Sequence, residues 1–419
     1  MKHFVLAYLM LLTCLAVTAQ RNCASYEYQQ QQLQADPLLA QKMAALDAYS
    51  KSDIMLNGTG SPMPAVIKIP VVVHVLYNTP SQNISDAQIK SQIDVLNKDF
   101  RKLNSDTINV PAVFKHLAAD CLIEFELAKI DPFGKATTGI TRKSTSILMY
   151  GLDDRIKFSS KGGADAWDTD NYLNIWVGSL AGGLLGYASV LGCDKAVDGV
   201  AITPGAFGTV GPVGAPYNKG RTTTHEIGHW LGLRHIWGDA ACGDDHIDDT
   251  PPQRGATRNC PTGVVVTCEN NPYGNMYSNY MDFTDDACLN LFTLGQRNKM
   301  RSLFEPGAAR YSLLSSKALT GTPVTTPPTT RPIEEPAAIA EISIKVYPNP
   351  ATTFITIDGG TAGELTGKIV SIRNHLGQLV MQVKVTKGNM PVNIGHLRDG
   401  MYFLRVEGSS QTIKVLKTK

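Results

Sequence analysis

Five residues in the run HEIGHWLGLRH carry the strongest chemical signal in the chain: His225, Glu226, His229, Gly232 and His235. Two His four positions apart on a helix differ by about 40° in azimuth and about one turn in height, so both imidazoles can reach one ion. Gly232 can take a positive φ without strain, which ends the helix and lets His235 approach from a third direction. Three neutral imidazoles with an open fourth position suit catalytic Zn²⁺; Ca²⁺ and Mg²⁺ prefer oxygen, and a structural zinc would need a fourth protein ligand. Glu226 follows the first ligand directly and faces the open position. There it can accept a proton from a zinc-bound water, whose pKa the metal lowers toward about 7, and relay it to a leaving amine. The pattern predicts metal-assisted hydrolysis of a carbonyl substrate.

These residues need a helix and a scaffold to aim them. The segment GRTTTHEIGHWLGL (220–233) reads as that helix, up to its glycine stop. VIKIPVVVHVLY (66–77) is β-branched and strand-like, and CLIEFELAKI (121–130) and NYLNIWVGSL (171–180) alternate like strands. SDAQIKSQIDVLNKDFRKLN (85–104) has Ile89, Ile93, Leu96 and Phe100 at helical spacing, with Ser85 and Gln88 as a capping box. The glycine-containing stretches KGGADAW and AGGLLGYA lack the GK[ST] of a phosphate loop and read as turns. The fold class expected is α+β: a mixed sheet with an active-site helix, then a small all-β sandwich.

At 419 residues, a prior of about 150 residues per domain suggests two or three domains. Lys+Arg of 39 against Asp+Glu of 37 gives a net charge of +2, which offers nothing to nucleic acid or an anionic membrane. Residues 1–19 have a basic start at Lys2, an apolar run from Phe4 to Val17 and a small-residue end at Ala19, the pattern of a secretory signal peptide. The apolar run is too short for a transmembrane segment, and no later stretch reaches the required length. A lipid-modified Cys14 is the rival reading, weakened by Thr13 just before it. Residues 20–54 read as a pro-segment, 55–316 as the catalytic domain and 317–340 as a Pro/Thr-rich linker, extended and semi-rigid. From 341 to 419, short alternating runs separated by Gly, Asn, Asp and Pro suggest a small antiparallel sandwich.

Cys14 lies inside the signal, which leaves seven of the eight cysteines for an exported, oxidising setting. Cys242, Cys260, Cys268 and Cys288 crowd together and favour two local bridges in one of three connectivities; Cys121 and Cys193 can pair or simply be buried. Cys23 is the odd one. A thiolate is a good zinc ligand, so Cys23 could fill the open fourth position and keep the precursor latent.

The run HExxHxxGxxH, together with Met281 in SNYMDF (278–283), resembles the metzincin metallopeptidases, in which a Met-containing turn lies below the zinc. NYMDFTDDACLNLFTLGQ and HIWGDAACGDDHIDDTPPQ are similar to the pappalysin family, in particular its bacterial ulilysin- and mirolysin-like members. The resemblance spans roughly residues 55–316. It implies an upper subdomain of twisted sheet and helices, a cleft below an edge strand for which residues 171–177 are the candidate, and the pairing Cys242–Cys268 and Cys260–Cys288. It makes Met281 a packing pedestal, and places Asp286 in the S1′ pocket, where it favours Arg or Lys just after the cleaved bond. It also implies Ca²⁺ near GDDHIDDT, with Asp244, Asp245, Asp248 and Asp249 as possible ligands. Cys23 resembles a cysteine switch, although Ala24 stands where the usual motif has Gly; Lys51 makes the Ser50–Lys51 bond a candidate for self-activation. Phe283 departs from the family, in which Tyr often stands at this place and helps the oxyanion.

In the tail, YPNP (347–350), DGMYFLRV (399–406) and the basic end IKVLKTK resemble the C-terminal sorting domain of type IX secretion, an immunoglobulin-like sandwich. The outer-membrane secretion machinery is then a partner, and the location is secreted or at the cell surface. The combined expectation is a secreted zinc endopeptidase acting on protein or peptide substrates on the N-terminal side of Arg/Lys, made as a latent zymogen. The alternative from another class is an exported adhesin or binding protein with a non-catalytic zinc site; a zinc hydrolase of non-peptide amides is a third.

Overall fold

The computed structural model describes residues 21–45, 65–321, 345–358, 367–374, 379–386, 389–406 and 412–418. The signal peptide, the Ser50–Lys51 bond and the linker from residue 322 onward lie outside the described residues. The chain divides into two compact units, residues 1–325 and 326–419.

The first described element is α1 (Ser25–Ala35), a Gln-rich helix whose buried residues are Ser25 and Tyr28. β1 (Ile67–Tyr77) follows; its nearly unbroken apolar run is the pattern of a strand covered on both faces, and every residue from Ile69 to Leu76 is buried. After α2 (Asp86–Phe100) come β2 (Ile123–Leu127), β3 (Ile140–Ser144), β4 (Leu173–Val177), β5 (Gly186–Ala188) and β6 (Val200–Ile202). β1 is long enough to be shared end to end: β2 pairs with Ile67–Val71 and β3 with Val73–Tyr77, both parallel. On its other side lies β4, also parallel, then β6, and finally β5, which runs antiparallel to β6.

Alternation along β1 sorts the core. Ile69, Val71, Val73 and Val75 join Ile89, Ile93, Leu96 and Phe100 of α2 in the main apolar cluster, whereas Leu76 packs on the opposite face with Trp176 and Tyr187. Full burial of each such side chain is worth about 1.5–3 kcal/mol. Ser85 caps α2 by accepting from the Gln88 backbone N–H at 3.1 Å. The Gln88 side chain does not complete the expected capping box. Its amide donates instead to the carbonyls of Pro204 and Phe207, at 3.0 and 2.8 Å, because a buried amide satisfies more backbone there than at an exposed helix start.

Two further expectations need correction. Residues 171–177 are not an edge: β4 has β1 on one side and β6 on the other, so its backbone groups are taken by its neighbours. The edge strand of the sheet beside the site is β5, inside the stretch AGGLLGYA that reads as a turn in the sequence, and Cys23 bridges to it at Gly186. Three residues are too short for alternation to register, and the glycines mask them.

The helix α3 (Arg221–Trp230) starts after Gly220 and is fastened to α2. Thr224 donates to Asp99 at 2.7 Å, and the Arg221 guanidinium lies 3.1 Å from Asp99 and 2.9 Å from Asp106. Gly232, at φ 81, turns the chain after α3. α4 (Leu294–Ser302) begins at the reciprocal capping pair Thr293 and Gln296. No described helix is long and apolar enough to cross a membrane.

The second unit is all β. β7 (Lys345–Tyr347), β8 (Phe354–Asp358) and β11 (Asn389–Asn393) make a three-stranded sheet; β9 (Ile369–Asn374), β10 (Leu379–Lys384), β12 (Gly400–Val406) and β13 (Thr412–Lys417) make a four-stranded one. The pairings between these strands are antiparallel, and Ala351 adds one parallel bridge to Lys417. Ile355 and Ile357 of the smaller sheet share one apolar cluster with Val370, Ile372 and Leu404 of the larger.

Candidate metal centre

α3 and the turn at Gly232 bring the three imidazoles together. Nε2 of His229 lies 3.1 Å from Nε2 of both His225 and His235. Each ring uses its other nitrogen elsewhere: Nδ1 of His225 faces the Tyr280 carbonyl at 2.6 Å, that of His229 the Leu233 carbonyl at 2.9 Å, and that of His235 an Asp239 oxygen at 2.5 Å. Acceptors at every Nδ1 put the protons there, so three Nε2 lone pairs point at one another. That arrangement is repulsive unless a cation sits between them, and tetrahedral Zn²⁺ with bonds of about 2.0–2.1 Å spaces nitrogens by about 3.3 Å. The donor set therefore fits zinc. Burial holds the rings neutral: it is the first cause that keeps His225 well below its ordinary value and His229 down at about 3, with the neighbouring rings adding to it. With Cys23 included, the four ligand atoms all lie within 4.8 Å of one another, and this is the group of such ligands found among the described residues.

Packing behind the rings fixes them. Trp237 stacks parallel on His235 at 4.4 Å, and Phe283 meets the rings of His225, His235 and Trp237. Phe283 thus works as an apolar wall. Met281 is fully buried, and a Cβ added at Gly228 would come within 2.5 Å of its sulfur; the glycine inside the helix lets the Met turn press against it. Asp239, four residues after His235, is a carboxylate behind a ring nitrogen. Asp239→Asn should weaken Zn²⁺ binding by about 10–100-fold, read by competition with a chromogenic chelator. Unchanged affinity would mean that the ring needs no carboxylate to hold it.

Glu226 is fully buried, and burial raises its carboxyl to about 7 against the lowering effect of hydrogen bonds from Ser25 and Cys23. Its Oε2 accepts from Ser25 Oγ at 2.7 Å and lies 3.5 Å from Cys23 Sγ, while Oε1 has no hydrogen-bond partner. Gly186 lets the edge strand approach: a Cβ there would meet Glu226 Cγ at 2.8 Å. Residues 22–25 run along β5. Leu185 N–H donates to the Asn22 carbonyl, Ala24 N–H to the Gly186 carbonyl, and Ala188 N–H to Ser25 Oγ, at 2.9, 3.2 and 2.9 Å. Burial first, and then the Glu226 charge, push the Cys23 thiol well above its usual value. A cation among the rings opposes both effects.

Asp286 is buried at the start of α3. One oxygen pairs with the buried Arg21 guanidinium at 2.5 Å; the other accepts from the Lys219 and Arg221 backbone N–H groups at 2.8 and 3.3 Å. Arg21 also donates to the Thr284 carbonyl and to Thr222 Oγ1, and lies over the Tyr217 ring. Cys242 is bonded to Cys268 and Cys260 to Cys288, while Cys23, Cys121 and Cys193 are free.

The acidic run does not gather into one site. Asp244 turns to His246, Asp245 accepts from Ile247 N–H and Thr250, Asp248 is exposed, and Asp249 accepts from Thr293 and Gly295 N–H at the start of α4. A carboxylate at a helix start answers the exposed N–H groups, so Asp249 has structural work of its own. Sequence reasoning also passed over Arg21, Ser25, Asp239 and Gly186. The i, i+4 spacing from His235 could have exposed Asp239; nothing local marks the others, which meet the site only through the fold.

The chain matches the family Peptidase M43, pregnancy-associated plasma protein-A, over residues 158–305, and the secretion system C-terminal sorting domain over residues 345–418. An extracellular metalloprotease of Pyricularia oryzae is 30% identical over 307 residues, covering 70% of this chain and 91% of that protein. One from Verticillium alfalfae is 32% identical over 251 residues, covering 56% and 77%. Among solved structures, Tannerella forsythia mature mirolysin in complex with a cleaved peptide is 51% identical with a TM-score of 0.59, covering 60% of this chain and 97% of that one. A promirolysin mutant of the same organism is 47% identical with a TM-score of 0.65, covering 70% and 97%. Such kinship implies a catalytic zinc, sets aside the adhesin alternative and carries export by the type IX route. The chain belongs to the pappalysin-type M43 family of extracellular metalloendopeptidases and ends in a secretion-sorting domain.

Proposed function

We propose that this metallopeptidase cuts protein substrates on the N-terminal side of Arg or Lys and is made as a precursor that its own N-terminal segment holds silent. One observation carries the reading: a single five-residue stretch places Arg21 on Asp286, Cys23 among the three imidazoles and Ser25 on Glu226. Arg21 then stands where the residue after the scissile bond would lie. His225, His229 and His235 would hold the zinc, with Cys23 as the fourth ligand in the precursor. Bound zinc supplies Lewis acidity, polarising a carbonyl and making water a competent nucleophile near neutral pH. Glu226, once released by Ser25 and Cys23, takes a proton on its carboxylate and returns it to the leaving amine. The edge of β5 offers backbone groups to an extended substrate, and Asp286 receives the basic side chain. Phe283 has no hydroxyl to offer an oxyanion. Calcium is the finer expectation for the acidic loop, and its best support is Asp245, whose second oxygen is buried with no partner.

A set of quenched peptides identical but for Arg, Lys, Ala or Glu after the scissile bond tests the specificity. The processed enzyme should prefer Arg and Lys over Ala by about 10–100-fold in kcat/KM, the worth of one charged hydrogen-bonded pair. Asp286→Asn should level the series. A preference that survives that substitution would show that another group reads the basic side chain.

A further inference from the structure

The N-terminal segment fills one more place than latency requires. In α1, Tyr28 is buried as deeply as Arg21, far from the imidazoles in sequence, in a pocket built mainly by the body of the enzyme, with Ala24 and Gln32 of its own segment beside it. Its ring lies 4.8 Å from that of Tyr187, a residue of the edge strand β5. The ammonium of Lys157 sits 4.5 Å from the Tyr28 ring centroid and also faces the rings of Tyr187 and Trp176. The Tyr28 hydroxyl donates to Asp154 at 2.5 Å and accepts from Lys157 at 3.0 Å and from Gln32 of its own helix at 3.2 Å. Lys157 is itself fully buried, bonded to the Val197 carbonyl and paired with Asp154 at 3.1 Å. Asp154 adopts φ 60, a left-handed conformation that costs a non-glycine residue, and so aims its carboxylate at this point.

Removing the segment leaves that apparatus in the enzyme. Lys157 then loses a hydroxyl and an aromatic face, and keeps the Val197 carbonyl, Asp154 and the rings of Trp176 and Tyr187 around it. A phenol is the side chain that restores both contacts. Its position relative to the cleaved bond follows from the same segment: from Asp286 the chain passes the imidazoles at Cys23 and reaches the pocket at Tyr28. Four extended residues at about 3.3 Å and three helical ones at about 1.5 Å span about 18 Å, which is about five residues of extended substrate.

We propose that this pocket is a substrate subsite selective for tyrosine, reached by a side chain three to five residues before the scissile bond. The inference rests on the reading of Asp286 as the acceptor of the residue after that bond.

The test uses processed, zinc-loaded enzyme and peptides sharing one Arg after the scissile bond, with Tyr, Phe, Leu or Ala at each of those three positions in turn. At one position Tyr should raise kcat/KM over Ala by at least about tenfold, in line with burial of an aromatic side chain, and over Phe by several-fold because Phe has no hydroxyl to bond with Lys157 and Asp154. In Lys157→Met the Tyr-to-Phe ratio should fall to about one; the wild-type series stands alone if that variant folds poorly. Equal rates for Tyr and Ala at all three positions, with the Ala peptide still cut, would overturn the subsite and leave the peptidase reading intact. A Phe peptide cut as fast as its Tyr counterpart would overturn the role given to Lys157 and Asp154. No cleavage of any peptide would overturn the underlying assignment of Asp286 and with it the subsite.

Discussion

Glu226→Gln is expected to lower kcat by about 10²–10⁴-fold, the usual share of a positioned acid-base group, with little change in KM or zinc content. Glutamine keeps the size and one acceptor of the side chain but cannot take a proton. The three imidazoles hold their Nδ1 protons on Tyr280, Leu233 and Asp239, none of which involves Glu226, so the metal should stay. Burial lifts the Glu226 carboxyl to about 7, which suits a group that must both accept and return a proton near neutrality. The variant cannot process itself on this reading, so both proteins should be trimmed by the same external protease before rates and metal are measured. Turnover within tenfold of the parent, at equal zinc, would transfer the proton to another group and remove Glu226 from the mechanism.

The clustering of the three imidazoles is legible in the sequence because its constraint is local. Two His one helical turn apart and a glycine that reverses the chain fix most of the geometry within eleven residues, and α3 and Gly232 show that geometry. β1 and α2 were legible for the same reason: eleven and fifteen residues give a period room to repeat. β5 has three residues and two neighbouring glycines, so the edge that lines the site left no periodic trace. The residues that complete the site are linked by long separations. Arg21 meets Asp286 across 265 positions and Ser25 meets Glu226 across 201, and no spacing rule reaches that far. Acidic clustering in the sequence does not by itself fix a shared site. Asp244, Asp245 and Asp249 are neighbours in sequence, yet each is drawn off by a different partner.

Arg21→Ala and Cys23→Ala together should turn the silent precursor into an active one, and the two single substitutions should differ in a way that the sequence alone does not suggest. Cys23 read by itself predicts a switch thrown by one residue. The fold instead gives the segment three anchors at the site itself, with Tyr28 a fourth beyond it, and tethering makes each local to the others, so loss of one lowers occupancy without abolishing it. Arg21→Ala leaves the buried Asp286 carboxylate without its cation. Breaking such a pair costs about 3–5 kcal/mol, which lowers the segment's hold by about 10²–10³-fold or more. Cys23→Ala removes one ligand but leaves Arg21 on Asp286 and Ser25 on Glu226, so a residual block of the site should persist in that precursor. The double variant loses the two anchors that carry a charge or a metal ligand, and keeps the neutral side chains of Ser25, on Glu226 and Ala188, and of Tyr28, in its pocket. Initial rates on an Arg peptide, taken while gels show the precursor intact, should rise from the parent through Cys23→Ala and Arg21→Ala to the double variant. Full activity from Cys23→Ala alone, with Arg21→Ala silent, would reduce latency to the thiol and deny Arg21 any part in it.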